Sequence, residues 1–112
     1  MKKIEAIIRT TKFDAVQDAL ASIGVRFFTL TDVRGYGLQS GEKQTYRGAD
    51  LGANFIPRLQ MDVVTTEDKL DIIIATIEKA ARTGAVGDGK IFVYDIERAL
   101  RIRTGERDKD AL

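Results

Sequence analysis

From Lys2 to Arg9 the chain alternates: Ile4, Ala6 and Ile8 fall on one side, and Glu5, Ile7 and Arg9 on the other. That period of two predicts a strand whose core side is the first set. Thr11 followed by Asp14 resembles a capping box, and Phe13, Val16, Leu20 and Ile23 then recur at helical spacing. Gly24 is placed to stop that helix. A second strand, rich in Phe, Thr, Leu and Val, is predicted from about Arg26 to Gly35.

The pattern then breaks. Residues 35 to 56 carry five glycines and few consecutive apolar residues. A connection this long inside a compact domain is uncommon and is usually functional or disordered. Pro57 precedes a third strand, Leu59 to Val64, with Leu59, Met61 and Val63 facing one way. Thr65 or Thr66 caps a second helix whose apolar stripe is Leu70, Ile73, Ile74, Ile77 and Ala81, and Gly84 ends it. Ile91 to Tyr94 is a continuous apolar run, which predicts a central strand. Arg101 to Arg103 reads as a short edge strand, and the charged tail from Gly105 as mobile. The order β-α-β-loop-β-α-β predicts an α+β, ferredoxin-like domain over residues 1 to 112, its central hairpin loop greatly extended.

Composition narrows the chemistry. The 112 residues contain no Cys and no His, so thiolate catalysis, disulfides, His-based triads and His or Cys zinc sites are excluded. A net charge of +1 gives no general attraction to nucleic acid or to a membrane surface. The sequence shows no signal-peptide pattern and no apolar run long enough to span a bilayer, so a cytoplasmic protein without membrane insertion is expected. A binding protein fits this composition better than an enzyme.

One stretch carries candidate chemistry. Thr83-Gly84-Ala85-Val86-Gly87-Asp88-Gly89-Lys90 places three glycines and a lysine between a helix and an apolar strand. Glycines let backbone N–H groups surround an anion, and lysine adds a point charge. Arg101 and Arg103 add forked donors for phosphate oxygens. The spacing imitates a P-loop, but Ile91 stands where Ser or Thr would hold magnesium, and helix and strand are in the reverse order. A glycine helix stop followed by a tight turn is the competing structural reading.

With these residues in view, the chain resembles the P-II signal-transduction proteins, in particular those associated with ammonium transporters. Met1 to Arg9 is similar to that family's first strand. Gly35-Tyr36-Gly37-Leu38-Gln39 and Tyr46-Arg47-Gly48-Ala49 match the two ends of its T-loop, about residues 37 to 55. Thr83 to Val93 resembles its B-loop, about 82 to 90, with the strand that follows. Arg101 to Glu106 resembles its C-terminal signature, within a segment of about 97 to 112.

The resemblance implies a homotrimer that binds ATP or ADP competitively between subunits, and 2-oxoglutarate when magnesium-ATP is in place. Ligand state would alter the T-loop, which docks on ammonium transporters or other nitrogen-metabolism targets. Carried over, Gly87, Asp88, Gly89 and Lys90 would surround the phosphates, with Gly35, Gly37 and Gln39 approaching from the loop root. Arg101 and Arg103 would come from a neighbouring subunit. Thr29 and Val64 would recognise the adenine, and Ile7 would line the pocket; ordinary strand packing is the alternative for Ile7 and Val64. Gln39 would also meet magnesium, and Gln39 with Arg58 would meet 2-oxoglutarate. No catalytic residue is implied, and Asp88 is expected to shape the loop.

Four residues depart from the family pattern. Leu51 stands where many relatives carry a tyrosine that is uridylylated, and Ala49 where some carry a phosphorylated serine. Neither offers a hydroxyl, so no modification site is expected; Tyr46 reads as a contact residue. Leu38 replaces a frequent arginine. Arg58 replaces the lysine that pairs with the 2-oxoglutarate carboxylate, an exchange that alters donor geometry. Two other readings stay open: a P-II-like sensor for another target, such as nitrogenase, another transporter or a bicarbonate-linked system, and a slow ATPase.

Overall fold

The computed structural model describes residues 1–37 and 55–112. Leu38, Gln39, Tyr46, Ala49, Leu51 and nearly all of the expected T-loop lie outside the described residues. The elements run β1 (Lys2–Ile8), α1 (Phe13–Ser22), β2 (Thr29–Tyr36), β3 (Phe55–Thr65), α2 (Glu67–Ala81) and β4 (Lys90–Asp95). A 3₁₀ turn, Thr10–Lys12, precedes α1, and another, Asp108–Ala111, closes the chain.

The four strands form one antiparallel sheet in the order β2-β3-β1-β4. Two helices after β1 and β3, with β1 and β3 as the central strands, give the ferredoxin-like α+β architecture expected from the element order. The alternation in β1 sets its layers. Ile4, Ala6 and Ile8 are buried together with Met61 and Val63 of β3, against Val16 and Leu20 of α1 and Ile73, Ile77 and Ala81 of α2. Cross-strand partners share a face, so Ile4 opposite Val63 and Ala6 opposite Met61 build the helix-covered layer. The alternate residues populate a second face that neither α1 nor α2 covers.

Several local expectations are corrected. Thr11 and Asp14 form no capping box: α1 starts from Lys12, and no side chain caps it. The preceding residues close a 3₁₀ turn instead, with the Lys12 amide donating to the Arg9 carbonyl at 3.0 Å. Strand β2 begins at Thr29, not Arg26. Gly24, at φ +87°, turns the chain after α1, and Phe28 then folds inward to meet the Phe13 ring edge-on at 6.2 Å. Pairing starts with the next residue, opposite Asp62.

Strand β3 extends past Pro57, which lies inside it opposite Arg34. The sheet tolerates this proline because β1 ends at Ile8, opposite Leu59, leaving only β2 beside Pro57. Helix α2 ends at Ala81 and not at Gly84; Arg82 is already extended, and Gly84, at φ +91°, serves the turn beyond.

The largest correction concerns β4. Its apolar run suggested a central strand, yet it is an edge strand, with Phe92, Val93 and Tyr94 each between 43% and 47% exposed. Among the described residues only β1 pairs with it, and neither α1 nor α2 covers the second face. Arg101 to Arg103 forms no strand. It lies in a turn where the Arg101 amide donates to the Glu106 carbonyl at 2.9 Å, beside a single bridge between Leu100 and Arg107. The charged tail winds into its 3₁₀ turn, tied back by the Asp108 amide donating to the Ala99 carbonyl at 2.8 Å.

Candidate anion-binding site

The helix-free face gathers most of the candidate residues. Lys90 of β4 stands opposite Ile7 of β1, and Ile7 stands opposite Gln60 of β3. Val64 is opposite Lys3, and Thr29 opposite Asp62. By the pleat, Ile7, Thr29, Arg58, Val64 and Lys90 therefore project to the same side as Gln60 and Asp62. Gly35 lies at the far end, opposite Ile56, and Gly37 follows β2. Gln39 lies outside the described residues, so the magnesium and 2-oxoglutarate assignments that rest on it have no geometry here.

The loop from Arg82 to Lys90 meets this face at the end of β1. Gly89, at φ +102°, is pressed onto the strand: a Cβ there would lie 1.8 Å from the Ile7 carbonyl oxygen. Only glycine permits that approach. Gly87, at φ +105°, sits under two guanidinium groups, with an added Cβ 3.0 Å from Arg58 Nη2 and 3.1 Å from Arg9 Nη2.

The inside of the loop is organised by Asp88. Its Oδ2 accepts from the Thr83 and Gly84 amides, each at 2.8 Å. Its Oδ1 accepts from the Thr83 hydroxyl at 2.5 Å and from Arg9 Nε at 3.0 Å. The Thr83 hydroxyl oxygen in turn accepts from the Ala85 amide at 3.1 Å. The Thr83 hydroxyl, then the Thr83 and Gly84 amides, and finally Arg9 hold the Asp88 carboxyl far below the usual carboxylate range. The amide donors of Arg82, Thr83, Gly84 and Ala85 are thus used internally, that of Arg82 by the Glu78 carbonyl. An external anion must be met by the donors further on, toward Gly87 and Gly89, and by side-chain cations.

Those cations are differently engaged. Arg9 is committed to Asp88 and, through Nη2, to the Val86 carbonyl at 2.8 Å. Arg58 donates to its neighbouring Pro57 carbonyl at 2.9 Å. Lys90 is exposed, and no carboxylate lies within ion-pair distance of it among the described residues. Arg101 is held in its own turn, with Nη1 2.7 Å from Glu106 Oε1 and Nη2 donating to the Leu112 carbonyl at 3.2 Å. Arg103 is exposed in the same turn.

A cleft of about 350 Å³ opens beside this loop. Ile7, Asp88, Gly89 and Lys90 reach it, and its remaining wall comes from Ile8, Ile91 and the last turns of α2. Thr29, Gly35, Arg58, Val64, Arg101 and Arg103 do not line it. Within one chain Ile7, Thr29, Arg58, Val64 and Lys90 form a shared face with the glycine loop at its edge, and not a closed pocket. Arg9 was not singled out for any role by the sequence reading. The signal was available: it lies two residues from Ile7, just past the end of β1.

The fold and the loop define a small ferredoxin-like domain that presents an anion-compatible glycine loop beside an open sheet face. Residues 1–106 match the family described as Nitrogen regulatory protein P-II. The Nitrogen regulatory protein P-II of Pasteurella multocida is 49% identical over 112 residues, covering all of both chains. The Klebsiella oxytoca protein of that name is 47% identical, and Nitrogen regulatory protein P-II 1 of Escherichia coli 46%, again over the whole of both chains. Among solved structures, Arabidopsis thaliana PII bound to citrate is similar, with a TM-score of 0.83 and 38% identity, covering 99% of this chain and 91% of that one. The chain belongs to the P-II family of nitrogen regulatory signal-transduction proteins. Among the described residues, no helix is long and apolar enough to cross a membrane.

Proposed function

We propose that this protein is a cytoplasmic, trimeric sensor of ATP, ADP and 2-oxoglutarate that regulates an ammonium transporter through residues 37 to 55. The observation that carries the reading is the meeting of Gly89 with Ile7. It sets the glycine loop and Lys90 at the rim of the face that also bears Arg58, Val64 and Thr29. Loop donors and Lys90 suit polyphosphate, while Ile7 and Val64 offer apolar contact to a base. Arg58 supplies a fork for a carboxylate of 2-oxoglutarate.

The half-exposed β4 and the uncovered sheet face support subunit packing, which would shield apolar surface that one chain leaves open. In such a trimer Arg101 and Arg103 would serve a neighbour's nucleotide. When magnesium-ATP is bound, Gln39 would help hold the metal, whose positive charge would favour binding of anionic 2-oxoglutarate. Regulation would run on ligands alone, since Leu51 and Ala49 offer no oxygen for modification.

Light scattering at micromolar concentration tests the assembly: a mass of three chains is expected, and a stable monomer would refute it. Pull-down of an ammonium transporter tests the output. Docking is expected with ADP or ATP and release with 2-oxoglutarate plus magnesium-ATP, because an effector shifts loop states only by binding them differently. Docking indifferent to all of these ligands would refute it.

A further inference from the structure

The geometry points to Arg9 and Asp88 as a clasp that pre-sets the loop 82–90 for its anion before any ligand arrives. Both would be positioning residues; the inference rests on the reading of this loop as a nucleotide site. Two positions at the end of β1 grip the loop, Ile7 within the strand and Arg9 just past it. The Ile7 carbonyl lies against Gly89, and Arg9 lies over Gly87, where Nε donates to Asp88 Oδ1 at 3.0 Å and Nη2 to the Val86 carbonyl at 2.8 Å. Asp88 passes the constraint on, through the Thr83 and Gly84 amides, to the start of the loop.

The pair is shielded, the side chains being only 26% and 23% exposed, so it is stronger than an open surface ion pair. The two Arg9 bonds leave different nitrogens of one planar fork. A lysine would have to reach both acceptors from a single nitrogen and lacks the fork that spans them. The charges also sort themselves: Asp88 balances Arg9, which leaves Arg58 and Lys90 to meet an incoming anion. A loop already held in shape loses less freedom on binding, and affinity rises accordingly.

The test uses the full chain as R9K, D88N and the double variant. Amide exchange at Thr83 and Gly84 is followed without ligand, and ATP binding by calorimetry. R9K is expected to speed exchange at both amides, and R9K and D88N each to raise the ATP Kd by about tenfold. The double variant should bind no worse than the weaker single variant, because both substitutions open one clasp. Unchanged exchange in R9K would overturn the clasp. Losses that multiply in the double variant would also overturn it, since Arg9 would then be acting on ATP independently of Asp88. If R9K speeds exchange while the unsubstituted protein binds no ATP, the clasp stands and the nucleotide reading falls.

Discussion

The backbone of Gly89 rests on the carbonyl of Ile7, so close that a single methyl group would lie 1.8 Å from the oxygen. This contact fixes where the glycine loop meets the sheet. It predicts an asymmetry between two glycines that both adopt positive φ. Gly84→Ala meets nothing within 4 Å and carries only the backbone penalty, about 1–2 kcal/mol. Gly89→Ala must also push the loop off β1, so its melting temperature should fall further and ATP binding should fall with it. Equal melting temperatures for the two variants would show that the contact is not a constraint.

Lys90 and the core should separate cleanly. Lys90 is exposed at the start of β4, so Lys90→Ala should weaken ATP binding by roughly 1.5–3 kcal/mol, the value of a charged hydrogen bond, while the melting temperature barely moves. Calorimetry beside a thermal melt checks this. Unchanged affinity with a collapsed melt would make Lys90 structural.

Ile77 and Ile72 lie on opposite sides of α2. Ile77 is fully buried against the sheet and Ile72 is 54% exposed. Ile77→Ala should cost about 2–5 kcal/mol in denaturant unfolding, and Ile72→Ala well under half of that. A reversed order would contradict the assigned core face.

Asp88 gives a pH prediction with a definite sign. Its folded pKa lies below its unfolded value, so its contribution is fully present above the unfolded value, near 4, and fades as pH falls toward the folded one. Protection of the Thr83 and Gly84 amides should therefore be flat from pH 7 down to about 4 and weaken only at lower pH. In a carbon-detected NMR titration the Asp88 carboxyl should remain ionised well below the midpoint of an ordinary aspartate. A midpoint near 4 would contradict the network drawn around it.

The parts of the fold with strict periodicity were legible in the chain. The alternation of Ile4, Ala6 and Ile8 and the stripe of Ile73, Ile77 and Ala81 mark the faces that meet in the core. Local chemistry was harder to read. Thr11 and Asp14 have the spacing of a cap, but a 3₁₀ turn one residue upstream took their place. Pro57 suggested a strand boundary because a proline removes a donor, yet beyond the end of β1 only one neighbour is present. Ile91 to Tyr94 showed the apolar content of a strand buried on both faces; in the single chain it is an edge, which fits a face that a second subunit would cover. For the site, the glycines and Lys90 stood out by type, and the register places Lys90 opposite Ile7. The role of Arg9 depended on a partner 79 residues away, and residue type alone could not supply that distance.

Arg58 stands where the family pattern has lysine, and it shares the approach to Gly87 with Arg9. A planar fork can take a carboxylate through two donors, so the unsubstituted protein should bind 2-oxoglutarate, and Arg58→Ala should lose roughly 1.5–3 kcal/mol of that binding. Arg58→Lys should retain binding with altered affinity. If only the lysine variant binds, Arg58 is the defect.

The most direct measurement is calorimetric titration of 2-oxoglutarate into the protein in three conditions: with magnesium and ATP, with ATP in EDTA, and without nucleotide. Saturable binding in the first alone is the predicted result. Equal binding in all three, or none in any while ATP itself also fails to bind, would contradict the account of this protein as a nucleotide-gated sensor.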